Sequence, residues 1–258
     1  MSRVAVVSGA ARGIGAATVG ALVRDGWSVV AVDACADDGS IDYPLASRSD
    51  LDSLAALGNV TTLVADVRDA AALADAVDAA LSSYGGLDAA IAAAGVIAGG
   101  APHWETDPAA EQVVIDVDLI GVMNLARVAV PAMMQRPQPR HGRFLAVASS
   151  AATQGLPRLA AYCAAKAGVA GFIRGLAADL RGTGITANAV APGSTETAML
   201  EATANIYDLA SVDVFAQQQP IERLIEPEEI ATALAWLAGA DTDAVTGAML
   251  AVDGGLSL

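Results

Sequence analysis

The sequence predicts a single doubly wound α/β domain built on a mostly parallel, seven-stranded sheet with helices on both faces. Three observations predict it. Seven short apolar runs alternate with helical patterns from end to end of the 258-residue chain. The runs are continuously apolar rather than alternating, as in strands covered on both faces. A glycine-rich turn joins the first run to the first helix, where a strand must hand over to a crossover.

The strands fall at RVAVVS (3–8), WSVVAVD (27–33), VTTLVAD (60–66), LDAAIAAAG (87–95), GRFLAVAS (142–149), GITANAVAP (184–192) and GAMLAVDGG (247–255). Val and Ala dominate them, and Gly, Asp or Pro bounds most of them. Helical spacing covers 14–25, 69–83, a long stretch near 108–135, 158–181 and 227–238. Two segments fit the alternation less well. Residues 34–59 insert loop and a short helix after the second strand, and residues 194–226 follow a Pro-Gly pair as a substrate flap. No composition break divides the chain, so residues 1–258 are read as one domain.

Hydrophobic residues make up 54% of the chain and aromatic residues only 4%, which suits small side chains packed where helices approach a sheet. A formal charge of −15 argues against nucleic acid and anionic membrane as partners. Every apolar run that would make a membrane span is interrupted by Asp, Arg, Gly or Pro, and the start resembles no secretory signal. Cys35 and Cys163 read as free thiols, so a cytoplasmic protein is expected. His103 and His141 stand apart, and no Cys/His cluster has metal-ligand spacing.

SGAARGIG (8–15) carries the first chemistry. Gly9, Gly13 and Gly15 permit a tight turn and close backbone approach, and the helix start behind them offers free N–H groups to a pyrophosphate. Asp33 closes the second strand, where a carboxylate accepts from an adenosine ribose and repels a 2′-phosphate, favouring NAD over NADP. Arg12 pulls the other way, since its guanidinium could pair with that phosphate; Asp33 holds the more decisive position. Asp66, ending the third strand, reads either as a contact to the adenine edge or as a cap for the next helix.

Of fourteen basic residues, one is lysine: Lys166, four places after Tyr162 in YCAAK. The pair shares one helix face. An ammonium there favours the phenolate of a neighbouring tyrosine and supplies a compact charge that a guanidinium fork would not. A Tyr-x-x-x-Lys pair alone is a common surface accident. Ser149, at the C-terminal end of a parallel strand thirteen residues earlier, adds weight, because ligands bind at such ends in open α/β sheets.

Taken together, SGAARGIG, Asp33, DVRD (66–69), Ser149 with YCAAK, NAVAPG (188–193) and VDGG (252–255) resemble the short-chain dehydrogenase/reductase family over the whole chain. The resemblance implies a Rossmann-type domain that binds NAD and transfers hydride between a secondary alcohol and a ketone. It implies Tyr162 as general acid/base, Ser149 as donor to the substrate oxygen, and Lys166 as holder of the nicotinamide ribose. It extends the cofactor contacts to Ile14, Val67, Ala94, Gly95, Pro192, Gly193, Thr195 and Thr197. The family commonly forms tetramers, here through 108–135, 158–181 and 247–255.

The sequence departs from the family twice. AAAG (92–95) puts Ala92 and Ala93 where a family asparagine supports the adenosine side. DLIG (118–121) puts Asp118 where the family has an asparagine holding a water linked to the lysine. Asp118 could hold the same water and pair with Lys166, weakening the lysine's pull on the Tyr162 proton. If the change abolished turnover, the chain would be a dinucleotide-binding sensor or scaffold. More narrowly, the 34–59 insertion, AAAGVIAGG (92–100) and LPRLAAYCAAK (156–166) resemble the short-chain dehydrogenases associated with mycofactocin. That likeness implies a non-exchanging NAD and an external redox carrier. Residues 34–59 could fold over the adenosine half and slow its departure, and they read equally as a surface embellishment. His103, Trp104, Gln154 and the flap residues 194–219 are candidates to line a substrate pocket; His103 and Trp104 read equally as loop residues.

Overall fold

The computed structural model describes residues 2–258. Its strands are β1 (Val4–Ser8), β2 (Ser28–Asp33), β3 (Val60–Val64), β4 (Ala89–Ala92), β5 (Gly142–Val147), β6 (Ile185–Pro192) and β7 (Met249–Val252). Its helices are α1 (Gly13–Arg24), α2 (Arg48–Ser53), α3 (Ala70–Tyr84), α4 (Pro108–Ile115), α5 (Gly121–Met133), α6 (Ala160–Asp179), α7 (Ala198–Ile206), α8 (Asp213–Ala216) and α9 (Pro227–Ala238). The strands form one sheet in the order β3-β2-β1-β4-β5-β6-β7, and all six pairings are parallel. Chain direction across the sheet reverses between β1 and β4, which opens a crevice above their C-terminal ends.

Alternation along β1 feeds two cores. Val4 and Val6 pack with α3 and α5 on one face, through Leu73, Val77 and Leu125. Ala5 and Val7 pack with α1 and α9 on the other, through Leu22, Ile230 and Leu234. Each such leucine or isoleucine, fully withdrawn from water, contributes about 1.5–3 kcal/mol. Close approach requires small residues: a Cβ on Gly142 would come within 2.7 Å of Ile185. Below the sheet, Arg143 is wholly buried, donating to the carbonyls of Gly239 and Ala240 and pairing with Asp243 at 2.6 Å. It pins the turn before β7 under the start of β5.

The expected elements all form, with differences at their ends. β4 stops at Ala92 instead of running to residue 95, and α6 begins at Ala160 because Arg158 takes a left-handed φ of 61°. The stretch expected as one helix over 108–135 carries a π turn at Asp116–Ile120 between α4 and α5. Within 34–59, Ser47 and Asp50 form a reciprocal capping box that starts α2, while Leu51 and Leu54 anchor it to the core. The 194–226 flap contains α7 and α8, closed at its base by a bridge between Thr195 and Ile225. Among the described residues, no helix is long and apolar enough to cross a membrane.

Candidate active site

A cleft of about 1160 Å³ runs along the C-terminal ends of the strands. One half lies above the glycine turn. Gly9 has φ 66°, and a Cβ there would come within 2.4 Å of the Ala94 backbone; a Cβ on Gly15 would come within 1.9 Å of the Gly9 carbonyl. The turn therefore sits flush against Ala93 and Ala94, just past the end of β4, and the first N–H groups of α1 open into the cleft. Ile14, Val67, Ala94 and Gly95 line the same wall, and Pro192, Gly193, Thr195 and Thr197 close it from the β6 side. Gly193 is confined too, since a Cβ would lie 2.4 Å from Gln219 and 2.6 Å from the Asp253 carbonyl.

Asp33 reaches back to this turn, its Oδ2 accepting from the Ala11 N–H at 3.0 Å, while the carboxylate remains half-exposed on the cleft wall. Arg12 is engaged elsewhere. It donates to the Pro44 carbonyl at 2.8 Å and lies over the Tyr43 ring at 5.7 Å. The Tyr43 hydroxyl in turn accepts from the Ile97 N–H at 3.2 Å, and burial pushes its pKa up to about 12. Asp66 does not cap α3; Asp69 does, accepting from Ala71 and Ala72. Instead Asp66 is gripped by Arg68 at 2.6 Å, and the same guanidinium holds Asp38 at 2.8 Å. The inserted segment is thus tied to both ends of this half of the cleft.

Ser149, Tyr162 and Lys166 meet at the cleft's middle. Ser149 follows β5, its Oγ accepting from Ala151 N–H, which fixes the hydroxyl at the wall. Tyr162 and Lys166 project from the first two turns of α6 and are nearly sealed from solvent. The Lys166 Nζ donates to the Val147 carbonyl at 3.2 Å and lies 5.5 Å from the Tyr162 ring centre. Behind it, Asp118 projects from the π turn, fully buried, with Oδ1 accepting from Val96 N–H at 2.8 Å. Its Oδ2 is 3.0 Å from Nζ, close enough for an ion pair but poorly aligned for a hydrogen bond.

Burial raises the Asp118 pKa despite Lys166. Burial is the largest single influence and opposes the Lys166 ammonium, yet Asp118 and Tyr162 together outweigh it and the lysine pKa rises. For Tyr162, burial raises the phenol pKa, Lys166 opposes that, and Asp118 adds to the rise.

Three expected pocket residues lie off the cleft wall. His103 pairs with Glu111 at 2.8 Å, Trp104 is 82% exposed, and Gln154 donates to the Leu256 carbonyl at 2.8 Å. Sequence reading missed Tyr43 and Arg68, whose roles rest on contacts no local spacing marks.

Comparison with known proteins follows the same outline. The family described as enoyl-(acyl carrier protein) reductase matches residues 9–257. A cis-4-hydroxycyclohexanecarboxylate dehydrogenase from Sinomonas cyclohexanicum is 38% identical, covering 98% of this chain and 96% of its own. A (−)-trans-carveol dehydrogenase from Rhodococcus erythropolis is 31% identical, with 99% and 98% covered. The crystal structure of carveol dehydrogenase from Mycobacterium avium in complex with NAD superposes with a TM-score of 0.91 at 30% identity, covering 98% of this chain and 97% of that one.

Proposed function

The chain belongs to the short-chain dehydrogenase/reductase family, and on that premise we propose that it is an NAD-dependent oxidoreductase interconverting a secondary alcohol and a ketone. The observation that carries the reading is the convergence of Ser149, Tyr162 and Lys166 on one cleft with the glycine turn. The residues present fit the dinucleotide. Gly9 and Gly15 pack too closely against Ala94 and the Gly9 carbonyl to carry a Cβ, which keeps the turn tight beneath the cleft, and Asp33 stands where a ribose would meet a carboxylate acceptor. With Arg12 held on Pro44 and Tyr43, no free guanidinium in that turn favours a 2′-phosphate. NAD supplies the hydride acceptor when bound.

The protein's own groups handle the proton. In alcohol oxidation the Tyr162 phenolate takes the hydroxyl proton while Ser149 donates to the same oxygen. Lys166 stabilises the phenolate and holds the nicotinamide ribose, and Ile14, Val67, Ala94, Gly95, Pro192, Gly193, Thr195 and Thr197 border the dinucleotide. Asp118 is a positioning residue. It fixes the ammonium between Val147 and the tyrosine, and its charge sets how strongly that ammonium favours the phenolate.

The tie between the 34–59 segment and the cleft favours a finer reading: NAD stays bound and electrons leave to an external carrier of the mycofactocin type. Tyr43 on Ile97, Arg12 on Pro44 and Arg68 on Asp38 fasten that segment beside the adenosine half. A homotetramer is also proposed; Gly171 and Gly175 of α6 face open space and leave room for a second copy. Denaturing the purified protein and weighing any released dinucleotide by mass spectrometry tests the cofactor reading. Near-stoichiometric NAD supports both cofactor identity and retention, NADP contradicts the Asp33 argument, and an empty cleft counts against retention.

A further inference from the structure

We infer that the substrate is an uncharged, largely hydrocarbon secondary alcohol or its ketone, and that carboxylated substrates are disfavoured; this rests on the oxidoreductase reading above. The half of the cleft beyond Tyr162 is walled by the loop after β5 and by the flap. Leu156, Leu159, Met199, Leu200, Leu209 and Phe215 supply its surface. Tyr207 and Phe215 meet edge to face at 6.4 Å, giving an aromatic end.

Several polar groups of this wall already have partners. Tyr207 donates its hydroxyl to the Pro157 carbonyl at 2.7 Å, which also fastens the flap to the loop after β5. Thr195, Thr197 and Thr203 donate to the carbonyls of Gly193, Thr195 and Met199. Gln218 stands exposed at the flap's edge. Uncharged hydroxyls and one amide (Ser149, Tyr162, Ser150, Ser194 and Gln218) are thus what the wall offers a substrate oxygen.

No cation awaits a second, charged group. The basic residues on the cleft wall are Arg12, Arg24, Arg68 and Lys166. Arg12 and Arg24 belong to the glycine turn and α1, and Arg68 is held by Asp66 and Asp38. Lys166 is matched by Asp118. Arg158, the arginine nearest in sequence to the active tyrosine, lies off the wall, donating to the Ile206 carbonyl at 3.4 Å and facing Asp208 at 3.7 Å. Among the described residues, the flap's one charged contribution to the wall is Glu196. A carboxylate or phosphate entering here would lose its hydration without a counter-charge, beside Glu196 and in a protein of net charge −15.

The test compares rings of one shape on the NAD-loaded protein: 4-methylcyclohexanol against 4-hydroxycyclohexanecarboxylate for kcat/KM, with excess NAD and a dye acceptor. The matching ketones are compared for affinity by calorimetry. The uncharged member should lead by roughly 100-fold in both ratios. Parity, preference for the carboxylate, or no binding of either ketone overturns the inference. Neither alcohol reacting, while the methyl ketone still binds far more tightly, sinks the hydride-transfer reading and leaves the substrate class standing.

Discussion

The Asp118 carboxylate lies 3.0 Å from the Lys166 ammonium, and both are withdrawn from solvent behind the Tyr162 ring. The lysine that should favour a phenolate therefore carries its own counter-charge. Its pull on the tyrosine proton is divided between two anions.

Replacing Asp118 with Asn should lower the Tyr162 pKa, because the removed carboxylate raises it. With Tyr162 as the proposed base, alcohol oxidation would need its phenolate, so the rate should rise with pH through that pKa. The acid limb of the pH–rate profile should consequently move to lower pH in Asp118→Asn. An unchanged profile would show that Asp118 does not govern the base.

Removing the carboxylate entirely should cost stability. Asp118→Ala leaves the Lys166 ammonium buried and unpaired, a change worth about 3–5 kcal/mol. Denaturant unfolding of Asp118→Ala, Lys166→Met and the double variant measures it. The double variant should recover much of the loss, and strict additivity would mean the two side chains do not interact.

Tyr162→Phe should reduce turnover by about 10²–10⁴-fold while dinucleotide binding persists. A protein serving as sensor or scaffold would keep its behaviour in this variant. Rate assays paired with titration of NAD binding separate the two.

Asp33→Ala should weaken selection against the 2′-phosphate, narrowing the ratio of NAD to NADP affinity. Arg12 is held away by Pro44 and Tyr43, so Arg12→Ala should leave that ratio almost unmoved. A large shift in Arg12→Ala would return this guanidinium to the phosphate side.

Tyr43→Ala should speed NAD release, since it removes both the ring under Arg12 and the hydroxyl that accepts from Ile97. Stopped-flow displacement measures the off-rate. An unaltered rate would reduce the inserted segment to a surface feature.

The sequence made most of the frame legible because the frame is local. Continuous apolar runs identify covered strands, and glycines at 9, 13 and 15 identify a turn whose left-handed φ at Gly9 and Gly13 only glycine adopts readily. Tyr162 and Lys166 share a face by helical spacing alone. What escaped was long-range. Arg12 meets Pro44 thirty-two residues away and Tyr43 meets Ile97 fifty-four away. Asp66 carried two local readings, and Arg68 with Asp38 supplied a third that no periodicity records. The π turn was hidden because its five residues keep an apolar pattern compatible with an uninterrupted helix.

The wide turn at Asp116–Ile120 also sets the spacing of the buried pair. A π turn fits one surplus residue into a helix while both flanks keep their facing. Taking out one residue between Asp116 and Ile120 would let α4 and α5 join without rotating either flank. It would still draw the carboxylate back from the lysine. Backbone length across this turn, as well as residue identity, thus sets how near Asp118 stands to Lys166.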